Sequence, residues 1–183
     1  MADYTDNALA ASIKALEKAV APAVDPTDPL ATEQLRLVVG FLKFLRLRLP
    51  HWQQRLQFEL DHYVALAGEL APDARLVSED VARRLDAAIE QALALRRSCA
   101  PVDDLRASTA VLAAGISALP RLVAHGDAAL RRRIEQKILA GSKRWVDMQR
   151  AWFVTQGFEL KPHELPSLQE AFGAVPAPSP TPA

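Results

Sequence analysis

Glu59 and His62 lie three residues apart in a segment with helical periodicity, which is the spacing of a metal-binding motif. Ferritin-like di-iron proteins use a Glu and a His at this spacing to present two ligands from one helix. Such a site needs a second pair, but the other three histidines, His51, His125 and His163, have no Glu three residues before them. We therefore expect neither a metal nor another cofactor, and we interpret Glu59 and His62 as a solvated or hydrogen-bonded surface pair.

Catalytic nucleophiles and phosphate-binding loops have no recognisable pattern in this chain. No serine lies in a Gly-x-Ser-x-Gly turn, and the seven glycines form neither a Walker-type nor a dinucleotide-binding pattern. Cys99 is the only cysteine, and its position between Ser98 and Ala100 near a predicted helix end favours a small buried residue over a reactive thiol. The sequence favours a non-catalytic protein, and an enzyme without a legible motif is the alternative.

A cluster of basic residues near the start of the last long predicted helix departs from the pattern of a plain helical protein. It consists of Arg131, Arg132, Arg133 and Lys137, and Lys143, Arg144 and Arg150 follow on the same helix. Positive charges near a helix N-terminus oppose the helix dipole by about a few tenths of a kcal/mol each. We predict that this basic face binds an acidic partner protein or a phosphorylated ligand. The alternative is a solvated face balanced by acidic neighbours such as Asp80, Asp86 or Glu90.

Trp145, Met148 and Trp152 share one stripe of the same helix and could line an apolar ligand pocket. Because their spacing is that of a buried helix face, we expect them to be core residues first. The alternative is a pocket for a small acyl or aromatic ligand between helices.

The composition indicates an all-α protein. Half of the 183 residues are apolar, and Ala and Leu dominate while Gly is scarce, which favours helices over strands. The length is typical of a single domain with its own core. The 22 basic and 22 acidic residues cancel, so the overall charge does not point to nucleic acid or an anionic membrane as the partner.

The same features suggest where the protein is located. The first residues include neither the basic nor the apolar segment of a signal peptide. One cysteine forms no internal disulfide, which is typical of a reducing compartment. The most apolar segment still carries four basic residues, too many for a membrane-spanning helix. We expect a soluble cytoplasmic protein without a membrane partner.

Residues 28–50 form the most apolar segment and are predicted to be the central helix. Asp28 suits the N-cap and Pro29 the first helical position. One face carries Leu35, Val38, Leu42, Leu45 and Leu49, and a second face beside it carries Leu37, Phe41 and Phe44. A helix that is apolar over more than half its circumference needs several neighbours, so we expect this helix to be buried inside a bundle.

Five further helices are predicted, giving a single-domain bundle of about six helices over residues 1–172. They run from Thr5 or Asp6 to Ala21, from His51 to Ala71, from Ser78 to about Arg97, from Asp103 or Asp104 to about Pro120, and from Asp127 to Gly157. A short helical turn is expected at 167–172, and the Pro/Ala-rich residues 173–183 are expected to be a flexible tail. Pro50 favours a tight hairpin over one long kinked helix, and Pro120 either kinks or ends its helix.

Residues 9–49 combine two helical stripes with a short linker that contains several prolines. The first helix leads into Val20-Ala-Pro-Ala-Val24, and the second reads Gln34-Leu-Arg-Leu-Val-Val-Gly-Phe-Leu. This run, about a quarter of the chain, resembles small uncharacterised bacterial helical domains that accompany aminoglycoside-phosphotransferase-like kinases and acyl-CoA dehydrogenases. The resemblance implies an accessory subunit rather than a catalyst.

These observations predict a non-catalytic accessory or protein-binding subunit that interacts through the basic face. The partner is expected to be another protein, with a metabolic enzyme as one candidate and a second copy of the chain as another. A helical protein that binds a small acyl or aromatic ligand is the alternative.

Overall fold

The backbone of this protein is almost entirely helical. The computed structural model describes residues 4–98, 100–124 and 126–173, and no strand occurs in these ranges. The helices are α1 (Tyr4–Ala15), α2 (Pro29–Arg48), α3 (Trp52–Val77), α4 (Glu79–Arg97), α5 (Val102–Leu122), α6 (Ala128–Phe153) and the short α7 (Leu168–Gly173). The predicted all-α fold class, with about six helices and a short turn after them, is confirmed. The predictions for Cys99 and for residues 174–183 concern positions outside the described ranges.

The chain divides into two compact units, which are described separately. The first unit comprises Met1–Trp52 and Trp152–Pro162, and the second comprises Gln53–Ala151 and His163–Ala183. The predicted extent of one domain over residues 1–172 stays a prediction. None of the helices in the described ranges is long and apolar enough to cross a lipid bilayer.

In the first unit, α1 and α2 are joined through a π-helical turn (Leu16–Val20) and a 3-10 turn (Ala21–Ala23). Asp28 caps α2 as predicted, because its Oδ1 accepts hydrogen bonds from the amides of Leu30 and Ala31, each at 3.0 Å. Two ion pairs connect α2 to α1 and its π-helical turn: Lys43 pairs with Glu17 at 2.6 Å, and Arg46 pairs with Asp6 at 2.7 Å. The α-helix itself ends at Ala15, and helical backbone continues through the two turns to Ala23, which agrees with the predicted end at about Ala21.

The prediction that α2 is the buried central helix is wrong. Only Phe44 and Arg48 of this helix are buried, while Leu37, Val38 and Phe41 are about half exposed. Within the first unit, α2 contacts α1, the π-helical turn that follows α1, the adjoining 3-10 turn Leu49–His51 and the 3-10 turn Val154–Gln156. An apolar circumference shows how much surface a helix could bury, but not how many neighbours the fold supplies.

The second unit contains most of the core, and α3 is its most buried helix. The buried apolar residues of α3 are Leu56, Phe58, Leu60, Leu66, Ala67, Leu70, Ala71 and Ala74. Ser78 caps α4 by accepting from the Asp80 amide at 3.2 Å, and Asp127 caps α6 by accepting from the amides of residues 129 and 130. Both caps were predicted. The predicted cap of α5 is wrong, because Pro101 occupies that position and Asp103 and Asp104 lie in the first turn.

The prolines interrupt the helices less than predicted. Pro72 lies inside α3, which continues to Val77 instead of ending at Ala71, and Pro120 lies within the last turn of α5. Around Pro50, the backbone angles of Arg48, Leu49 and Trp52 are all right-handed helical, and Leu49–His51 form a 3-10 turn. The backbone therefore stays helical through Pro50, and the choice between a hairpin and a kinked helix stays a prediction.

Candidate binding surfaces

The predicted basic face is partly used inside the second unit. Arg133 Nε donates to Asp73 Oδ1 at 2.7 Å, and Lys137 Nζ donates to Asp73 Oδ2 at 2.7 Å. The Asp73 side chain is only 3% exposed. Its burial opposes ionisation, but the hydrogen bonds from Lys137 and Arg133 outweigh burial and lower the pKa of Asp73. Two of the four predicted binding residues thus connect α6 to α3.

This ion cluster lies next to Pro72 of α3. Proline has no amide hydrogen, so the carbonyl four residues earlier, at Gly68, loses its usual helical donor. Lys137 Nζ also donates to the neighbouring carbonyl of Glu69 at 2.8 Å. The Lys137 side chain therefore serves both the carboxylate after Pro72 and a backbone acceptor before it. Sequence reasoning missed Asp73 because it placed this residue beyond the end of the helix.

The other two residues of the basic face do not pair with Asp73. Arg131 pairs with Glu135 one turn later at 2.8 Å, and both side chains are about half exposed. Arg132 is exposed and forms no ion pair within the described part of the chain. An acidic partner at this face would therefore depend mainly on Arg131 and Arg132. The predicted acidic neighbours Asp80, Asp86 and Glu90 are not those that pair with the cluster.

Trp152 belongs to the first unit and is a core residue there. Its ring packs edge-on against Phe44 and Trp52, with centroid distances of 6.4 and 6.1 Å. The Arg48 guanidinium lies 5.5 Å from the Trp152 ring centroid, and its Nε donates to the Trp152 carbonyl at 2.7 Å. This contact accounts for the burial of Arg48. Trp152 thus lies in a different unit from Trp145 and Met148.

Trp145 belongs to an aromatic cluster of the second unit. It stacks on Phe58 at 6.3 Å and on His62 at 5.6 Å. His62 is buried, and its pKa is lowered by burial and, to a smaller extent, by the charge of Arg144. Glu59 instead pairs with Arg55 at 3.2 Å. The interpretation of Glu59 and His62 as a surface pair is therefore wrong for His62, which lies in the aromatic cluster.

Metal binding has no support from the acidic, histidine and cysteine side chains that the structure describes. Within these ranges, no three of them lie in an arrangement that could hold an ion.

Met148 lines a cavity of about 360 Å³ in the second unit. The other lining residues are Ala140, Lys143, Arg144, Asp147, Pro166, Glu170 and Ala171. The α7 side of the cavity is held by a capping box, in which the Glu170 amide donates to Ser167 Oγ and the Ser167 amide donates to Glu170 Oε2. Phe172 packs edge-on against Phe58 at 5.9 Å. The cavity therefore lies against the aromatic cluster that contains Trp145.

Arg144 is the unusual residue of this cavity. Its guanidinium lies 4.6 Å from the centroid of the Phe58 ring, within cation–π distance. Its Nε and Nη2 are buried, and no described residue supplies a hydrogen-bond acceptor for them. Burial lowers the pKa of Arg144, and the negative charge of Asp61 opposes this shift. Sequence reasoning had grouped Arg144 with the surface charges of α6.

The N-terminal half of α2 exposes an apolar stripe, here called the α2 stripe. Its members and their exposed fractions are Leu30 (68%), Leu37 (46%), Val38 (49%) and Phe41 (57%). At about 100° per residue, Leu30, Leu37 and Phe41 lie within about 40° of one another, and Val38 lies beside them. Phe44 and Arg48 continue the same line toward the C-terminus, where Trp152 and Phe153 cover Phe44. The α2 stripe is therefore the uncovered part of a longer apolar line.

Three basic residues of α2, Arg36, Lys43 and Arg46, are paired within the first unit and lie more than about 120° around the helix from the centre of the α2 stripe. Arg36 pairs with Glu33 at 2.6 Å, Lys43 pairs with Glu17, and Arg46 pairs with Asp6. The stripe itself therefore carries no charged side chain, unlike a surface that attracts an acidic or a basic ligand.

The chain matches no protein family model, no curated protein and no solved structure. Its function must therefore be argued from the α2 stripe, the basic face and the cavity at Arg144.

Proposed function

We propose that this protein is a non-catalytic subunit that binds an amphipathic helix of a partner protein along the α2 stripe. The observation that supports this proposal is the exposure of Leu30, Leu37 and Phe41 in line with the buried Phe44. Contiguous apolar patches on soluble proteins commonly mark interaction sites. The stripe replaces the predicted basic face as the main docking surface, because Arg133 and Lys137 bind Asp73.

A helix is the occupant that suits the shape and charge of the stripe. The stripe is narrow and spans about three helical turns, roughly 16 Å along α2. The chain itself covers the continuation of this line with Trp152 and Phe153 at the end of α6. A partner helix with an apolar face would extend that cover toward Leu30, as peptide helices do when they bind apolar grooves.

The area of the stripe favours a different protein over a second copy of the chain. With roughly 200 Å² for each large side chain, the four exposed residues present about 400 Å² of apolar surface. Two copies paired through this stripe would bury about 800 Å², whereas stable specific interfaces bury at least about 1,200 Å². A larger partner can also cover other exposed apolar residues of the first unit, such as Tyr4, Phe158 and Leu160.

The identity of the partner is suggested only by the resemblance of residues 9–49. Domains of that type accompany kinases and dehydrogenases, so metabolic enzymes of these two kinds are the first candidates. The acyl-ligand alternative is not needed for this function, because the stripe lies in the first unit and the cavity lies in the second.

A photo-crosslinking experiment tests this proposal. One variant of the chain carries a photoreactive amino acid in place of Gln34, which is exposed and lies on the same face of α2 as the stripe. A second variant carries it in place of the exposed Leu139 on α6. We expect a partner to be crosslinked from Gln34 and not from Leu139. The crosslink should disappear in a Phe41→Ser variant and persist in the matched control Val111→Ser, whose side chain is equally exposed.

The partner so identified is then purified and its affinity is measured by calorimetry. We expect Phe41→Ser to weaken binding at least about ten-fold, which corresponds to about 1.4 kcal/mol. Equal affinity of Phe41→Ser and Val111→Ser would refute the docking site. A dimer in light scattering that Phe41→Ser dissociates would assign the stripe to a second copy, and binding to neutral lipid vesicles that Phe41→Ser abolishes would assign it to a membrane surface. Either result would overturn the proposed partner.

A further inference from the structure

We propose that the cavity between α6 and α7 binds a small monocarboxylic acid whose carboxylate is held by Arg144. Nε and Nη2 form the edge of a guanidinium that holds a carboxylate through two parallel hydrogen bonds. The chain shows this geometry elsewhere: Arg46 donates from the same two atoms to Asp6 at 2.7 and 2.9 Å. At Arg144 this edge is buried, and no described residue supplies an acceptor.

The carboxylates near Arg144 are engaged with other groups. Asp61 accepts from Arg96 Nε at 2.8 and 3.1 Å. Asp147 pairs with Lys143 and Arg150, and Glu170 accepts from the amide of Ser167. A buried charged donor without an acceptor is destabilising, because the folded chain does not replace the hydrogen bonds that water provides to the unfolded chain. A carboxylate ligand would supply the two missing acceptors.

The surroundings of Arg144 select a ligand with one negative charge. Asp147 and Glu170 line the same cavity and would repel a phosphate or a second carboxylate. Lys143 also lines it, but its charge is already paired with Asp147 at 3.1 Å. His62 adds no second positive charge near neutral pH, because burial and Arg144 lower its pKa. At this single guanidinium, the neighbouring carboxylates disfavour a dianion more than a monoanion.

The rest of the cavity suits an apolar body. The apolar residues of its wall are Ala140, Met148, Pro166 and Ala171, and Met148 is almost completely buried. A volume of about 360 Å³ is at the lower end of small-molecule sites, which suits a short aliphatic or a single aromatic ring. The centroid of the Phe58 ring lies 4.6 Å from the guanidinium carbon, within cation–π distance. Because Nε and Nη2 are closed off from solvent, the ligand enters with a local movement, and α7 is the shortest element that lines the cavity.

Thermal-shift and calorimetric titrations with hexanoate and benzoate test this site. Hexanamide and benzamide serve as matched neutral probes, and inorganic phosphate serves as a dianion probe. We expect at least one carboxylate to raise the melting temperature in a saturable manner, and the amides and phosphate to have no effect. No response to either carboxylate at millimolar concentration, or a stronger response to phosphate, would overturn the proposal.

Two substitutions on α6 separate the guanidinium from general charge. Arg144→Met removes the fork but keeps an apolar stem, and we expect it to lower carboxylate affinity at least about ten-fold. Arg132→Met makes the same substitution at an exposed residue of α6 that does not line the cavity, and it should leave the affinity within about two-fold. Equal responses of the two variants would refute the assignment to Arg144.

An NMR experiment on the unsubstituted protein covers the case in which Arg144→Met does not fold. The side-chain Nε–H signals of the arginines are recorded with and without hexanoate. We expect one buried signal to shift with the same saturation as the thermal response, because the new hydrogen bond forms at that proton. Unchanged Nε–H signals at saturation would show that the carboxylate binds elsewhere, and the proposal would fail.

Discussion

Replacing Asp73 by alanine should strongly destabilise the second unit. The substitution removes the buried carboxylate that accepts from Arg133 and Lys137. Breaking a buried ion pair costs about 3–5 kcal/mol. The two cationic side chains are 49% and 34% exposed and can return to water, so we expect the lower end of this range, about 3 kcal/mol. For a chain of this size, that loss lowers the melting temperature by about 6–12 °C.

The loss of stability is measured by urea unfolding followed by circular dichroism. Asp86→Ala is the matched control, because Asp86 also lies on a helix and pairs with an arginine, Arg75, but both side chains are over 40% exposed. That variant should lose less than about 1 kcal/mol. If Asp73→Ala and Asp86→Ala have the same stability within error, the carboxylate at 73 is solvated, and α6 is not connected to α3 through it.

Three further predictions concern pH and packing. The hydrogen bonds from Lys137 and Arg133 lower the pKa of Asp73 in the folded state, so its contribution to the free energy of unfolding should be constant above its ordinary pKa of about 3.9 and should decline as the pH falls further. A stability difference between wild type and Asp73→Ala that persists unchanged at pH 2 would contradict this. Gly141→Ala should destabilise the protein by about 1 kcal/mol, because the new Cβ would lie 2.9 Å from Leu66 Cδ1. Gly68→Ala should stabilise it by up to about 1 kcal/mol, because the space around Gly68 is open. A higher melting temperature for Gly141→Ala than for Gly68→Ala would refute this prediction. Phe44→Ala should lower the free energy of unfolding by about 3 kcal/mol and Phe41→Ala by less than half of that, because only Phe44 is buried. Equal losses in urea unfolding would mean that the α2 stripe is buried in solution.

Features determined by neighbouring residues could be read from the sequence. Asp28, Ser78 and Asp127 were identified as caps because a short acceptor side chain reaches the amides two or three residues later. The all-α class follows equally from local propensity, since glycine is scarce and the apolar residues recur at helical spacing. Helix starts were therefore located more accurately than helix ends next to proline.

Features determined by distant residues could not be read in the same way. Pro72 was predicted to end a helix, yet α3 continues to Val77, and Asp73 accepts from side chains of α6, some 60 residues later in the chain. Arg144 has the composition of a surface residue, and only its position over Phe58 distinguishes it. The exposure of the α2 stripe also depends on how many neighbours α2 has, which its own pattern does not contain.

The core of this protein is shared unequally between its two units. Of the 25 buried apolar residues within the described ranges, only Ile13, Phe44 and Trp152 belong to the first unit. A segment with so few buried contacts opens more readily than the rest of a protein, and its amides exchange with deuterium sooner. A bound partner would suppress this opening by mass action. In a cell, copies of the chain made in excess of the partner would be cleaved by proteases in the first unit, so that the amount of the chain would follow the amount of its partner.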